Sequence, residues 1–208
     1  MKNLFRQSIK WSFSIAVITF VLAALFSIIS TATLSGVGVA LGMLIVLLIV
    51  LVGIFFDMLG IASTAADEVP FHSMASKRIK GAKHSILIIR NADRFSNFCN
   101  DVIGDISGII SGTASAIVIV QLTISLKYSQ GSIYEFIISV IFTSIVAALT
   151  VGGKAFGKTF AITYSKDIIF QVGKLFYFLE NRFNIVVLKD NKGKNNKNNK
   201  NNKNRNQS

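Results

Sequence analysis

The chain has one cysteine, one proline, two histidines and only 15% charged residues. A lone cysteine, Cys99, excludes an internal disulfide and any multi-cysteine zinc site. Two histidines leave a histidine-rich metal centre without ligands. His72 and His84 lie in a basic stretch where no nucleophile, base and orienting group recur together, so an enzyme is not expected. What is present is apolar: 51% of the 208 residues are hydrophobic and the mean hydropathy is +0.56, too high for an ordinary soluble domain of this length.

Charge is absent from three windows, Trp11–Phe56, Ile106–Leu126 and Phe136–Gly153, of 46, 21 and 18 residues. A bilayer core is crossed by roughly 20 helical residues, so the first window holds two spans and the others one each. The basic residues set the orientation. In a four-span arrangement 21 of the 22 lysines and arginines fall on one side and only Lys127 on the other. By the positive-inside rule both termini are expected in the cytoplasm. The first apolar run is longer than a signal-peptide core and lacks an A-x-A site, so it is read as a retained span.

The fold class expected is an all-α integral membrane protein of the cell membrane. Residues 1–10 form a cytoplasmic N-terminus and 11–164 a four-span domain, with spans near 11–30, 36–56, 101–126 and 133–152. Residues 165–188 form an interfacial amphipathic helix, and 189–208 a disordered Lys/Asn-rich tail. Between spans two and three, Pro70 is expected to break a helix. "MASKRIKGAKHSILIIRNADRF" reads there as a basic amphipathic helix followed by an Asn-Ala-Asp helix start, at the cytoplasmic interface. In span two, Gly38 and Gly42 form a GxxxG pair. Lys-, Asn- and Ile-rich usage suggests an AT-rich bacterial genome.

Span three is the most informative. At about 100° per residue, Asn97, Asn100, Asp101, Gly104, Asp105, Ser107, Gly108, Ser111, Gly112 and Ser115 project onto one half of the helix. Val102, Ile103, Ile106, Ile109, Ile110 and Ile117 take the other, lipid-facing half. A Gly104, Gly108, Gly112 row suits close contact with another helix or with a second copy in a homodimer. Asp101 and Asp105 are either interfacial caps near a helix start or functional intramembrane carboxylates. In span four Thr143, Ala147, Thr150, Lys154 and Lys158 share a face. Residues 165–188 bring Ile168, Val172, Leu175, Phe176, Leu179 and Phe183 to helical spacing. The last twenty residues hold seven basic groups against one acidic. They cannot bury a core, and anionic lipid headgroups are a better-supported partner for them than nucleic acid, for which no aromatic interleaving is present.

Residues 60–165 resemble the transmembrane domain of the CorB/CorC and cyclin M (CNNM) magnesium transporters, without the CBS pair that usually follows it. "ADEVPFHSMASKRI" is similar to the family's S-x-x-E-T-A-L-x-S-L-S-x-x-R-L, with Glu68, Ser73 and Arg78 in register. "NADRF" resembles P-D-R-F through Asp93, Arg94 and Phe95, and Ile103, Gly104 and Asp105 resemble I-G-N, two residues further from D-R-F than in the family. "GKAFGK", Gly153–Lys158, resembles G-E-I-x-P-K. The resemblance implies a divalent-cation transporter whose three spans are spans two to four here, with magnesium held by hydroxyl, amide and carboxylate oxygens. In register, Ala65 replaces a ligand serine, Lys154 a ligand glutamate, Asp105 a ligand asparagine and Gly157 a proline. An ammonium repels a cation where a hard metal needs oxygen.

Three readings follow. In the first, the chain handles Mg²⁺ or a similar ion through Asp105, Asp101, Asn100 and Glu68, with Asp57 as a further candidate. In the second, a non-transporting relative places Lys154 where the cation would be, paired with Asp101 or Asp105, so that the helices lock without metal. In the third, it is a lipid-binding scaffold acting through its interfacial helix and basic tail.

Overall fold

A computed structural model describes residues 2–34 and 36–183. These residues form α1 (Lys2–Leu34), α2 (Val39–Ala65), α3 (Val69–Ser76), α4 (Ala82–Arg90) and α5 (Ala92–Asn97). A π-helical segment (Phe98–Gly104) follows, then α6 (Asp105–Ser125), α7 (Ile133–Thr163) and α8 (Ser165–Phe183). No strand occurs among the described residues. Four stretches are long and apolar enough to cross a membrane: Ser12–Leu34, Val39–Ala65, Ala92–Ser125 and Ile133–Thr163. The expected tail, 189–208, and the last part of the expected C-terminal helix, 184–188, lie outside the described residues.

The helices overrun the expected spans. α2 continues past Phe56 to Ala65, α7 past residue 152 to Thr163, and the third stretch starts at Ala92 instead of 101. A charged side chain ends a hydropathic window, but its backbone still propagates a helix. Pro70, expected to break a helix, instead stands in the first turn of α3, where a missing N–H costs nothing. The expected basic amphipathic helix is split. α3 stops at Ser76, and a turn with positive φ at Arg78 (56°) and Gly81 (89°) precedes α4. The helix start at Asn-Ala-Asp is present, with Asn91 as the N-cap of α5.

α2 organises the bundle. It runs antiparallel to α6 and the π-helical segment, and a Cβ placed at Gly42, Gly53 or Gly60 would meet Val118 at 2.9 Å, Ser107 at 2.9 Å or Asn100 at less than 2.5 Å. The paired positions advance one for one along both chains, a straight seam of about 27 Å at 1.5 Å per residue. α7 runs parallel to α2, and Gly153 and Gly157 let Ile54 and Met58 reach its backbone. α1 lies on α6, with Ile15, Leu22 and Ala23 against Val102, Ile106 and Ile110. At the far end Gln121 Nε2 donates to Leu34 O at 2.8 Å.

Within a single chain the packing differs from the expected helix faces. Of the Gly104, Gly108, Gly112 row only Gly104 is buried, and nothing lies within 4 Å of a Cβ built at Gly108 or Gly112. Val102, Ile106 and Ile110, assigned to lipid, are buried instead. One cause is the π-helical segment. Its wider turn shifts residues up to Val102 against α6, which accounts for Val102. The other is that α6 packs on α1, α2 and α7 at once, so its buried half is rotated to take in Ile106 and Ile110 beside Ser107 and Ser111, leaving Gly108, Ile109 and Gly112 on the exposed half. The Gly38–Gly42 pair likewise contributes only Gly42, since Gly38 faces open space.

The serines of α6 do face inward as expected. Ser107, Ser111, Ser115 and, further on, Thr123 are buried, and each hydroxyl donates to a carbonyl three or four residues back at 2.7–2.9 Å. A hydroxyl satisfied by its own helix needs no partner across the interface.

Beyond the seam, α3, α4 and α8 form a second layer against the charged ends of α2 and α7. Phe71, Ile86, Ile88, Ile169 and Val172 close its core with Ala62, Ala66 and Ala161. α8 meets α4 backbone to backbone. A Cβ on Gly173 would stand 2.7 Å from Gly81 O and 2.9 Å from Ser85 N, and Ser85 Oγ donates to Ile169 O at 3.1 Å. On α8 the inward face is therefore Ile169, Val172 and Gly173, while Leu175, grouped with the apolar stripe, is 55% exposed.

Candidate functional site

A charged pair lies at one end of the seam, on two of the helices long and apolar enough to cross a membrane. Asp57 is one turn before Gly60 on α2, and Lys154 stands between the two glycines by which α7 leans on that helix. With Ile54 against Gly153 and Met58 against Gly157, the approach brings Lys154 Nζ to 3.8 Å from Asp57 Oδ1. The lysine side chain is 30% exposed and the aspartate 16%, so the pair is mostly withdrawn from its surroundings. Beneath it runs the π-helical backbone. A Cβ at Gly104 would be 3.8 Å from Lys154 Nζ and 3.9 Å from Asp57 Oδ1, ordinary contact distances, so the two charges meet directly over this glycine. π-helical turns in otherwise α-helical stretches often mark functional sites.

One turn further along α2, Asn100 is pressed onto Gly60. Its Nδ2 donates to Ser96 Oγ at 3.3 Å, whereas Oδ1 is buried and has no hydrogen-bond partner. An orphaned buried carbonyl oxygen is costly and is uncommon in a settled core.

The candidate ligands are not brought together. Asp101 and Asp105 are exposed, whereas Lys154 meets Asp57. Lys154 therefore takes Asp57 as its partner instead of either span-three aspartate. Of the expected ligand set, Asn100 alone points at this region. Glu68 is held elsewhere: its Oε1 accepts from Arg90 Nε at 2.6 Å and hydrogen-bonds His72 Nε2 at 2.8 Å. Partial burial works to raise the Glu68 pKa, but the Arg90 and His72 hydrogen bonds and charges together outweigh it and hold the carboxyl below its ordinary value. Among the described residues no group of three or more His, Cys, Asp or Glu side chains is placed to hold a metal ion. The oxygens of Asp57 and Asn100 suit magnesium in kind, but an ammonium beside Asp57 does not, and the donor set falls short of the six oxygens such an ion takes.

A second polar junction ties the outer layer. His84 Nε2 hydrogen-bonds Glu180, the ring meets Tyr177 edge to face at 5.8 Å, and His84 Nδ1 is buried without a partner. Lys174 lies over the Phe170 ring, 4.4 Å from its centroid.

Sequence reasoning missed the contact glycines Gly53, Gly60, Gly153 and Gly157, although a signal was available. Gly42, Gly53 and Gly60 are spaced by 11 and 7 residues, both close to whole numbers of helical turns, so they share one face of α2. No family model matches the chain, and neither does any curated protein or solved structure.

Proposed function

We propose that this chain is a non-transporting membrane protein of the CorB/CNNM-like class, in which the ammonium of Lys154 supplies the charge that a bound cation would bring. The Asp57–Lys154 pair carries the proposal: an intramembrane carboxylate is tolerated when partnered, and here the partner belongs to the chain. The 21-to-1 distribution of basic residues supports a cytoplasmic side for both termini and for the α3–α5 and α8 layer. The protein then acts as a locked helical platform with a basic cytoplasmic face.

The test is thermal unfolding of the purified chain against magnesium. A flat response over millimolar concentrations is expected, with Lys154→Ala destabilised in metal-free buffer and Lys154→Glu regaining stability when magnesium is added. A parent chain stabilised by magnesium, with the effect abolished by Asp57→Asn, would overturn it. Transport is the second reading, favoured by the unpartnered Oδ1 of Asn100, and it requires magnesium flux into vesicles that is lost in Asn100→Ala. Orientation is checked separately. A cysteine at Gln130 should be labelled from outside the cell and one at Lys80 should not.

A further inference from the structure

Where the spanning part of α2 meets the outer layer, a crevice of about 650 Å³ opens between α2, α5 with the π-helical segment, and α8. Its walls are Phe55 and Leu59, Phe95 and Phe98, and Leu175 and Phe176, and among the described residues that line it Arg94 alone carries a charge and Gln171 alone an amide. The volume is within the roughly 300–1,000 Å³ of small-molecule sites, and such sites combine apolar walls with a few oriented polar groups. Phe55 and Leu175, on opposite walls, are each 55% exposed, so the crevice is open at its side. Phe56 and Phe98 are shared with a second apolar cavity of about 550 Å³ between α1, α2 and α6, which extends the greasy surface along the spanning helices.

We infer that this crevice binds one anionic phospholipid, with an acyl chain between α2 and α8 and the phosphate on Arg94. The amphiphile's two ends match the two chemistries present: hydrocarbon for the phenylalanine walls, a phosphate for a guanidinium. Arg94 is exposed and carries five N–H donors, so a phosphate needs only some of them. The crevice is built into the fold, because the α8 wall is fixed to α4 by the Gly173–Gly81 approach and the Ser85–Ile169 hydrogen bond. The inference stands apart from the cation question, since neither Asp57 nor Lys154 lines the crevice.

The experiment is native mass spectrometry of the full chain in detergent, titrated with dioleoyl phosphatidylglycerol, dioleoyl phosphatidylcholine or water-soluble glycerol phosphate. The parent should retain one phosphatidylglycerol in preference to phosphatidylcholine and should ignore glycerol phosphate. Arg94→Gln should cut the headgroup preference about fivefold, as expected for the loss of one basic contact, with Arg94→Lys losing less. Leu175→Trp, at an exposed position on the rim, should weaken both lipids by filling the crevice while leaving the helical circular-dichroism signal unchanged. The inference is overturned by an unchanged preference in both Arg94 variants, by lipid binding indifferent to Leu175→Trp, or by glycerol phosphate competing as well as the lipid. A dimer that Leu175→Trp dissolves would also overturn it, since the occupant would then be a second copy.

Discussion

The two halves of this molecule are held together differently. Along the seam between α2, α6 and α7, helices meet through glycines that admit Val118, Ser107, Asn100, Ile54 and Met58, with one ion pair at the end. In the outer layer α4 and α8 touch backbone to backbone, and hydrogen bonds of Ser85, His84 and Glu68 fix the arrangement. In a bilayer, lipid tails are as apolar as leucine, so helices gain little by hiding side chains and associate by close packing. In α8 the residues packed on the neighbouring layer are Ile169, Val172 and Gly173, and the polar contacts of Ser85 and His84 set its register.

The comparison breaks most sharply at Gly173. Gly173→Ala would drive a Cβ against the backbone of Gly81 and Ser85, which cannot step aside as a side-chain end could. A loss of about 2–3 kcal/mol is expected, the upper part of the usual overpacking range, with α8 released first in hydrogen exchange. Next comes the ion pair. Removing one partner of a fully buried pair costs ~3–5 kcal/mol. At 3.8 Å, with a lysine 30% exposed, Lys154→Ala should cost about 1–2 kcal/mol. Melting identical to the parent would mean that the lysine merely reaches toward headgroups.

Gly108 sharpens the contrast in the opposite direction. Because nothing lies near it, Gly108→Ala should stabilise α6 by about 0.5–1 kcal/mol through helix propensity alone. A loss of stability in a thermal melt would show that this face is occupied. The smallest effect is at Glu68, whose pKa is lowered in the folded chain from an ordinary 4.5. Its contribution is therefore complete above pH 4.5 and is lost as the pH falls through the lower folded value. For a pair this close to the surface it amounts to less than about 1 kcal/mol, and Glu68→Gln should flatten the acid limb of the stability profile by that much.

The sequence alone determined that the chain is helical and has four stretches able to cross a membrane, because length and apolar composition decide that without reference to neighbours. It also showed the helix start at Asn91 and the inward serines of α6. It did not show which aliphatic residues face protein. Ile106 and Ile109 are equally apolar, yet one is buried and the other 61% exposed, and the periodicity that separates core from water carries no such message when the surroundings are lipid. The π-helical segment added a phase change that a fixed 100° step cannot follow. The partner of Lys154 was decided by Gly153 and Gly157, whose contacts with Ile54 and Met58 set α7 against α2 at the height of Asp57. Such a pairing depends on the depth at which two helices meet, a property of both backbones together that neither local sequence contains.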